Sequence, residues 1–350
     1  MTTTDRAWYR RHRPAQWLGL LAILSFAFLG LSSRPLFAQP NDARDDGNEA
    51  RYDALLSTPN LGTPMPQDNL FATAPGLEQQ APRSQFTVNG LLPVTFNSNA
   101  EVLPSGGTMS AEISPLAGVS WASPVASLPL RISANLRTEF DRFPHASHAN
   151  FDKLATSARL QYVDPDNDQA YSPYFSYAPR VEFEPTFARP FATRHDLNFG
   201  FNKTFNFDGS LDRVPVSSSS FGDTVWSFGL TAFFQRRFRD PAPGSFAGVV
   251  APSLSYVISP QWNVSGGIEV ERRAYDSVGT FSQKDWFIEP LATLEFVIPG
   301  AWFGEDRNAV ILGRPSFDIL VAYEKNWSNL SAANFAIWNA GAALKFGWRF

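Results

Sequence analysis

Residues 343–350 read ALKFGWRF, with Leu344, Phe346, Trp348 and Phe350 on one parity and Ala343, Lys345, Gly347 and Arg349 on the other. Successive side chains of a β-strand point to opposite faces. The segment is therefore a strand with one wholly apolar, aromatic-rich face and one face that carries the charges.

The same pattern recurs upstream. Over 130–141, Leu130, Ile132, Ala134, Leu136, Thr138 and Phe140 alternate with Arg131, Ser133, Asn135, Arg137, Glu139 and Asp141. Over 286–298, Trp286, Ile288, Pro290, Ala292, Leu294, Phe296 and Ile298 alternate with Phe287, Glu289, Leu291, Thr293 and Glu295. Over 196–207, Leu197, Phe199, Phe201, Phe205 and Phe207 form the apolar row, which Lys203 interrupts. That lysine predicts a local bulge or a side chain that snorkels along the apolar surface.

Twelve such segments are expected, at about 86–96, 109–121, 129–141, 152–162, 171–183, 194–207, 224–237, 247–258, 261–273, 284–298, 315–326 and 336–350. Long alternating segments separated by turn residues are the pattern of an all-β transmembrane antiparallel up-and-down barrel, and an even count returns both ends to one side of the membrane. The links 163–170 and 258–261 are short on that side. The links 208–223 and 299–314 are long; they are ordered caps or hide further strands, so fourteen is the alternative count.

A soluble antiparallel sandwich also alternates. Three features oppose it. The segments exceed the usual 5–6 residues or so of a soluble strand. Their apolar faces are long. Aromatic residues such as Trp121, Tyr162, Trp262, Trp286 and Trp327 fall near segment ends, as membrane-interface girdles do.

Composition agrees. The chain has 350 residues, a net charge of −4, 31 Phe, 10 Trp and 9 Tyr, which suits an apolar outer face and a polar interior and offers no basic surface to nucleic acid. With no Cys, disulfides, thiolate catalysis and Cys-ligated metals are excluded. At the N-terminus, Arg6, Arg10, Arg11 and Arg13 precede an uncharged apolar run over 17–31. That run falls short of the roughly 20 residues a spanning helix needs, and it fits a secretory signal peptide over 1–38. Cleavage is expected after Ala38, although Leu36 at the −3 position is larger than the residues usually preferred there. Residues 39–84, rich in Pro, Asn, Asp, Gln and Gly, are expected to be a mostly disordered periplasmic extension or a plug for the lumen. The barrel itself is expected over 85–350.

Parity also assigns a lumen. Arg131, Arg137, Glu139, Arg159, Arg180, Glu182, Asp196, Glu269, Glu271, Glu289, Glu295, Asp318 and Glu324 are the lining candidates, and the full inward set adds Asp141, Lys153, Glu184, Arg194, Arg237, Arg273, Lys345 and Arg349. The two signs nearly balance. Such a set either pairs into ladders that brace the barrel or lines a narrow wet pore of weak ion selectivity.

Motifs for catalysis are sparse. His145 and His148 form an H-x-x-H in a Pro-bounded loop, without the helix that would aim both at a metal, so they are expected to be solvated. His195 falls near a rim, where a Ser partner would make a hydrolase. The pairs Glu182/Glu184 and Glu269/Glu271 follow from strand periodicity and are read as wall residues. No catalytic, metal or cofactor site is assigned.

The C-terminal strand with its final Phe resembles the closing strand of bacterial outer-membrane β-barrels. The hairpin around Ser259-Pro260-Gln261-Trp262 is similar to those of proteobacterial barrels of this size. The resemblance implies that Leu344, Phe346, Trp348 and Phe350 act as the signal read by the barrel-assembly machinery. It also implies a location in the cell outer membrane of a Gram-negative bacterium, surrounded by lipid. The expected task is a small pore or passive transporter for polar solutes. The alternatives are a non-conducting structural or surface-interaction barrel working through its outer loops and, third, a rim hydrolase.

Overall fold

The computed structural model describes residues 84–349, apart from 126–127, 165–169, 208–225, 260, 278–281 and 304–314. The expected signal segment, its cleavage after Ala38, the extension up to residue 83, the link 208–225 and Phe350 lie outside the described residues. The strands are β1 (Gln85–Asn97), β2 (Ser110–Ile113), β3 (Leu116–Pro124), β4 (Leu130–Asp141), β5 (Phe151–Tyr162), β6 (Ser172–Phe183), β7 (Pro190–Phe207), β8 (Trp226–Asp240), β9 (Ser245–Ser259), β10 (Trp262–Tyr275), β11 (Lys284–Val297), β12 (Ser316–Ser328) and β13 (Phe335–Arg349).

Each strand pairs antiparallel with its neighbours along one 13-stranded sheet, and β13 pairs with β1 to close it. Closure gives the long strands backbone partners on both sides, while β2 pairs with β1 and meets its other side only where Ile113 bridges to Arg142. The seam runs from Thr87 opposite Arg349 to Asn97 opposite Asn339.

The segment expected as one strand over 109–121 is two pieces, β2 and β3, ending at Pro124. Val94 faces Ile113 and Leu91 faces Leu116, so both pieces keep one register on β1. Pro115 lies between them and has no N–H to give to the ladder. The pair therefore counts as a single stave, and the barrel has twelve. Lys203 causes no bulge: β7 and β8 stay in register from Thr193 opposite Asp240 to Phe207 opposite Trp226. Its ammonium instead lies 4.1 Å from the Tyr171 ring centroid and 4.8 Å from that of Phe205.

The faces divide by parity. Apolar side chains stand exposed on the outside, among them Phe199 at 63% and Phe234 at 61%. At the end bearing the chain termini, aromatic side chains on the outer face meet as Trp226–Tyr256 and Trp262–Phe296, with centroids 4.3 and 4.7 Å apart. At the opposite end, the loop end, they include Trp286, Trp327 and Trp338, each about half exposed. Trp286 and Phe296 stand ten residues apart on β11. At about 3.4 Å per residue and a tilt of roughly 40°, the two girdles lie about 26 Å apart, the height of a lipid-facing apolar band. No described helix is long and apolar enough to cross a membrane; this chain crosses with strands.

Candidate functional site in the barrel lumen

Residues two apart on a strand share a face, and the inner wall uses this repeatedly. Arg137 pairs with Glu139 at 2.7 Å, Arg180 with Glu182 at 3.1 Å, Arg194 Nε with Asp196 at 2.6 Å, and Arg273 with Glu271 at 2.7 Å. Other contacts cross between strands. Lys153 reaches Glu139 at 2.9 Å and Asp141 at 3.3 Å, and Arg237 reaches Asp196 at 3.0 Å. Lys345 reaches Glu295 at 2.5 Å and Asp318 at 3.5 Å. The side chains of Glu139, Lys153, Glu289, Glu295, Asp318 and Glu324 are wholly buried. Burying a charge costs several kcal/mol or so unless a partner offsets it, which explains why these groups stand in pairs and clusters.

The charges are not mixed evenly around the wall. Strands β5–β8 carry inward Lys153, Arg159, Arg180, Arg194, Arg237 and Arg239, against Glu182 and Asp196. The other side carries Glu112 on β2, Glu269 and Glu271 on β10, Asp285, Glu289 and Glu295 on β11, and Asp318 and Glu324 on β12, against Arg273 and Lys345 among the described side chains. Staves six apart face each other in a barrel of twelve. Strands β5–β8 thus face β11, β12, β13 and β1, and the net basic wall stands across the lumen from the acidic β11 and β12. Apolar inward side chains interrupt both: Leu91, Leu116, Leu320 and Ala343 on one side, and Tyr174, Phe233 and Val249 on the other.

The loop end is covered. The β1–β2 connection, 98–109, turns inward so that Val102, 1% exposed, packs against Phe287, Phe335 and Ile337 on the inner faces of β11 and β13. Asn99 ties the turn: its carbonyl accepts from Val102 N–H at 3.0 Å, and its side chain accepts from Leu103 N–H at 3.0 Å and donates to Leu103 O at 2.7 Å. Val102 sits at φ +54°, in the left-handed region that a β-branched residue rarely enters. The neighbouring connection, 142–150, docks on this loop through Phe143, Ala146 and Ala100. Glu101 accepts from Thr108 N–H at 3.0 Å and from its hydroxyl at 2.8 Å, and pairs with His148 Nε2 at 2.9 Å. The two hydrogen bonds from Thr108 and the charge of His148 hold the Glu101 carboxyl below its ordinary value.

The candidate lining residues fall on the inward parity of their strands, with Arg131 and Arg137 half-buried and the others buried. Glu184 departs from expectation: β6 ends at Phe183, and Glu184 lies exposed in the next connection, paired with Arg189. Arg239 was missed because β8 runs to Asp240, beyond the expected end at 237, whereas Glu112 and Asp285 lie inside expected segments and were left out of the inward set. His148 binds Glu101 rather than joining His145, and the described residues hold no group of three metal-ligating side chains. His195 Nδ1 meets the Tyr177 hydroxyl at 2.7 Å.

No protein-family model and no curated protein matches the chain. Solved structures similar to it include an outer membrane channel from Pseudomonas putida F1, at 10% identity and a TM-score of 0.47, covering 80% of this chain and 100% of that one. The translocator domain of the autotransporter NalP from Neisseria meningitidis is 10% identical at a TM-score of 0.43, covering 88% and 96%. LpxR from Salmonella typhimurium is 8% identical at 0.35, covering 75% and 99%. No activity passes from them to this chain. Its own closed sheet, apolar exterior and charged interior make it a twelve-stave transmembrane β-barrel.

Proposed function

We propose that this barrel is a narrow, covered conduit for small polar solutes across the outer membrane, with its loop end facing the medium. The observation that carries the reading is the lumen itself: a basic wall on β5–β8 that faces the acidic strands β11 and β12, with loop 98–109 folded across one mouth. Opposed walls set up a transverse field that orients a dipolar solute, while the near balance of signs keeps net ion selectivity weak. Cleavage after Ala38 and recognition of the C-terminal strand by the barrel-assembly machinery belong to the same proposal.

The test is single-channel recording of the refolded barrel in a planar bilayer, beside a variant lacking 99–108. Small, infrequent steps in the full barrel and larger, steadier ones in the variant are expected. A folded, heat-modifiable variant that stays silent overturns the conduit. It would favour the second reading, a non-conducting barrel that acts through its loops, which the docking of 98–109 on 142–150 supports.

A further inference from the structure

The outer face of β10–β12 carries a second charged feature at the loop end. Arg272 lies opposite Trp286, and Trp286 opposite Trp327, in one row across the three strands. The Arg272 guanidinium stands 5.2 Å from the Trp286 ring centroid, and the Lys325 ammonium 5.9 Å from that of Trp327. Lys284, two residues before Trp286 on the same face, is exposed.

These three cations differ from Arg236, another outward arginine at this end. Arg236 is held by Asp276 through two hydrogen bonds of 2.7 and 2.8 Å. Arg272 donates Nη1 to the neutral carbonyl of Asp285 at 2.9 Å, and among the described residues no carboxylate lies within ion-pair distance of Arg272, Lys284 or Lys325. Trp286 and Trp327 are half exposed at the girdle, the depth at which indole rings meet lipid headgroups. A positive cluster at that depth, walled by aromatic rings and without internal counter-charge, calls for an anion supplied by the membrane.

We propose that Arg272, Lys284 and Lys325, seated on Trp286 and Trp327, bind the phosphate of an anionic lipid headgroup in the leaflet around the loop end. The planar guanidinium matches two phosphate oxygens at once, the two ammoniums add charge without fixed direction, and Val270 and Ile288, next along the same face, offer apolar surface to an acyl chain.

The test is native mass spectrometry of the refolded barrel in mixed micelles of phosphatidate and phosphatidylcholine. Phosphatidate is expected to be retained preferentially, and an Arg272→Gln, Lys284→Gln, Lys325→Gln variant to lose that preference by about tenfold, the factor set by one charge-assisted hydrogen bond of ordinary strength. The double variant Arg236→Gln, Asp276→Asn is expected to keep it. Should the triple variant fail to fold, Lys284→Gln and Lys325→Gln are each measured alone, and each is expected to lose part of the preference. Unchanged retention in the Gln variants overturns the site. Equal displacement by millimolar inorganic phosphate also overturns it, because the cluster would then recognise a free anion rather than a membrane lipid.

Discussion

Gly90 lies directly opposite Phe346 across the β1–β13 seam, and the Phe346 ring occupies the space that a side chain at position 90 would fill. Phe346 belongs to the apolar row of the C-terminal strand, so the residue expected to matter for assembly is also the one that covers the glycine where the barrel closes.

Replacing Gly90 by Val is therefore expected to impair closure. The ring would have to leave its rotamer or the seam would have to open, and overpacking of this kind costs about 1–3 kcal/mol. The heat-modifiable fraction on an unboiled gel should fall for Gly90→Val. Gly248→Ala is the control, because a Cβ there would meet only ordinary contacts, 3.7 Å from Phe234. Equal folding of both variants would show that the seam does not depend on this packing.

Lys153, wholly buried between Glu139 and Asp141, reports whether the lumen is dry. In a dry site, Lys153→Met removes the cation that Glu139 and Asp141 share, leaving Glu139 with Arg137, and should cost about 3–5 kcal/mol in urea-induced unfolding. In a site open to water, the cost should fall to about 1 kcal/mol or less. The covered mouth points to the larger value, and the smaller one would mean that the conduit is hydrated at rest.

The staves were legible because each has one lipid-facing and one inward face, and that demand writes a period of two into segments such as 130–141 and 284–297. Their partners on the inner wall were also legible as charges, but their grouping was not. Parity says that Arg180 and Glu324 both point inward; only the order of staves around the barrel says that β6 and β12 belong to opposing walls. The break at Ser114-Pro115 was hidden because β2 and β3 keep one register across it. The cover was hidden for a different reason. Loop 98–109 has no periodicity, and the inward turn at Val102 depends on a left-handed backbone that a valine does not advertise. Phe287 stands in its segment's row with Glu289 and Glu295, and nothing in that alternation marks it as a seat for the loop.

Acid is expected to loosen the cover through Glu101. Its folded carboxyl lies below the ordinary value of 4.5, so the hydrogen bonds from Thr108 contribute fully above that pH and are lost as the pH falls through the lower folded value. The Thr108 amide, which donates to Glu101, should be protected from hydrogen exchange at neutral pH. Once corrected for the intrinsic rate, its protection should fall away on the acid side of that range. Glu101→Gln should show weak protection at every pH. A Thr108 protection factor independent of pH in the unaltered chain would remove Glu101 as the latch.

Val102 is the side chain that seats the cover, and replacing it separates the cover from the barrel. Val102→Asp puts a carboxylate against Phe287, Phe335 and Ile337, none of which can hydrogen-bond it, so the loop should leave its seat while the staves stay paired. Val102→Gly removes the side chain but also relieves a backbone conformation that costs a β-branched residue about 1–3 kcal/mol, so a smaller effect is expected. The chain has no Cys, which makes a single introduced thiol a clean reporter. Ile337→Cys, fully buried under the loop, should resist a water-soluble maleimide in the otherwise unaltered barrel and react at least several-fold faster when combined with Val102→Asp. Conductance should rise in the same order, from valine to glycine to aspartate. If the thiol is exposed by Val102→Asp but conductance does not change, the loop covers the mouth without controlling passage, and the resistance lies deeper, in the ring of paired charges between β4 and β13.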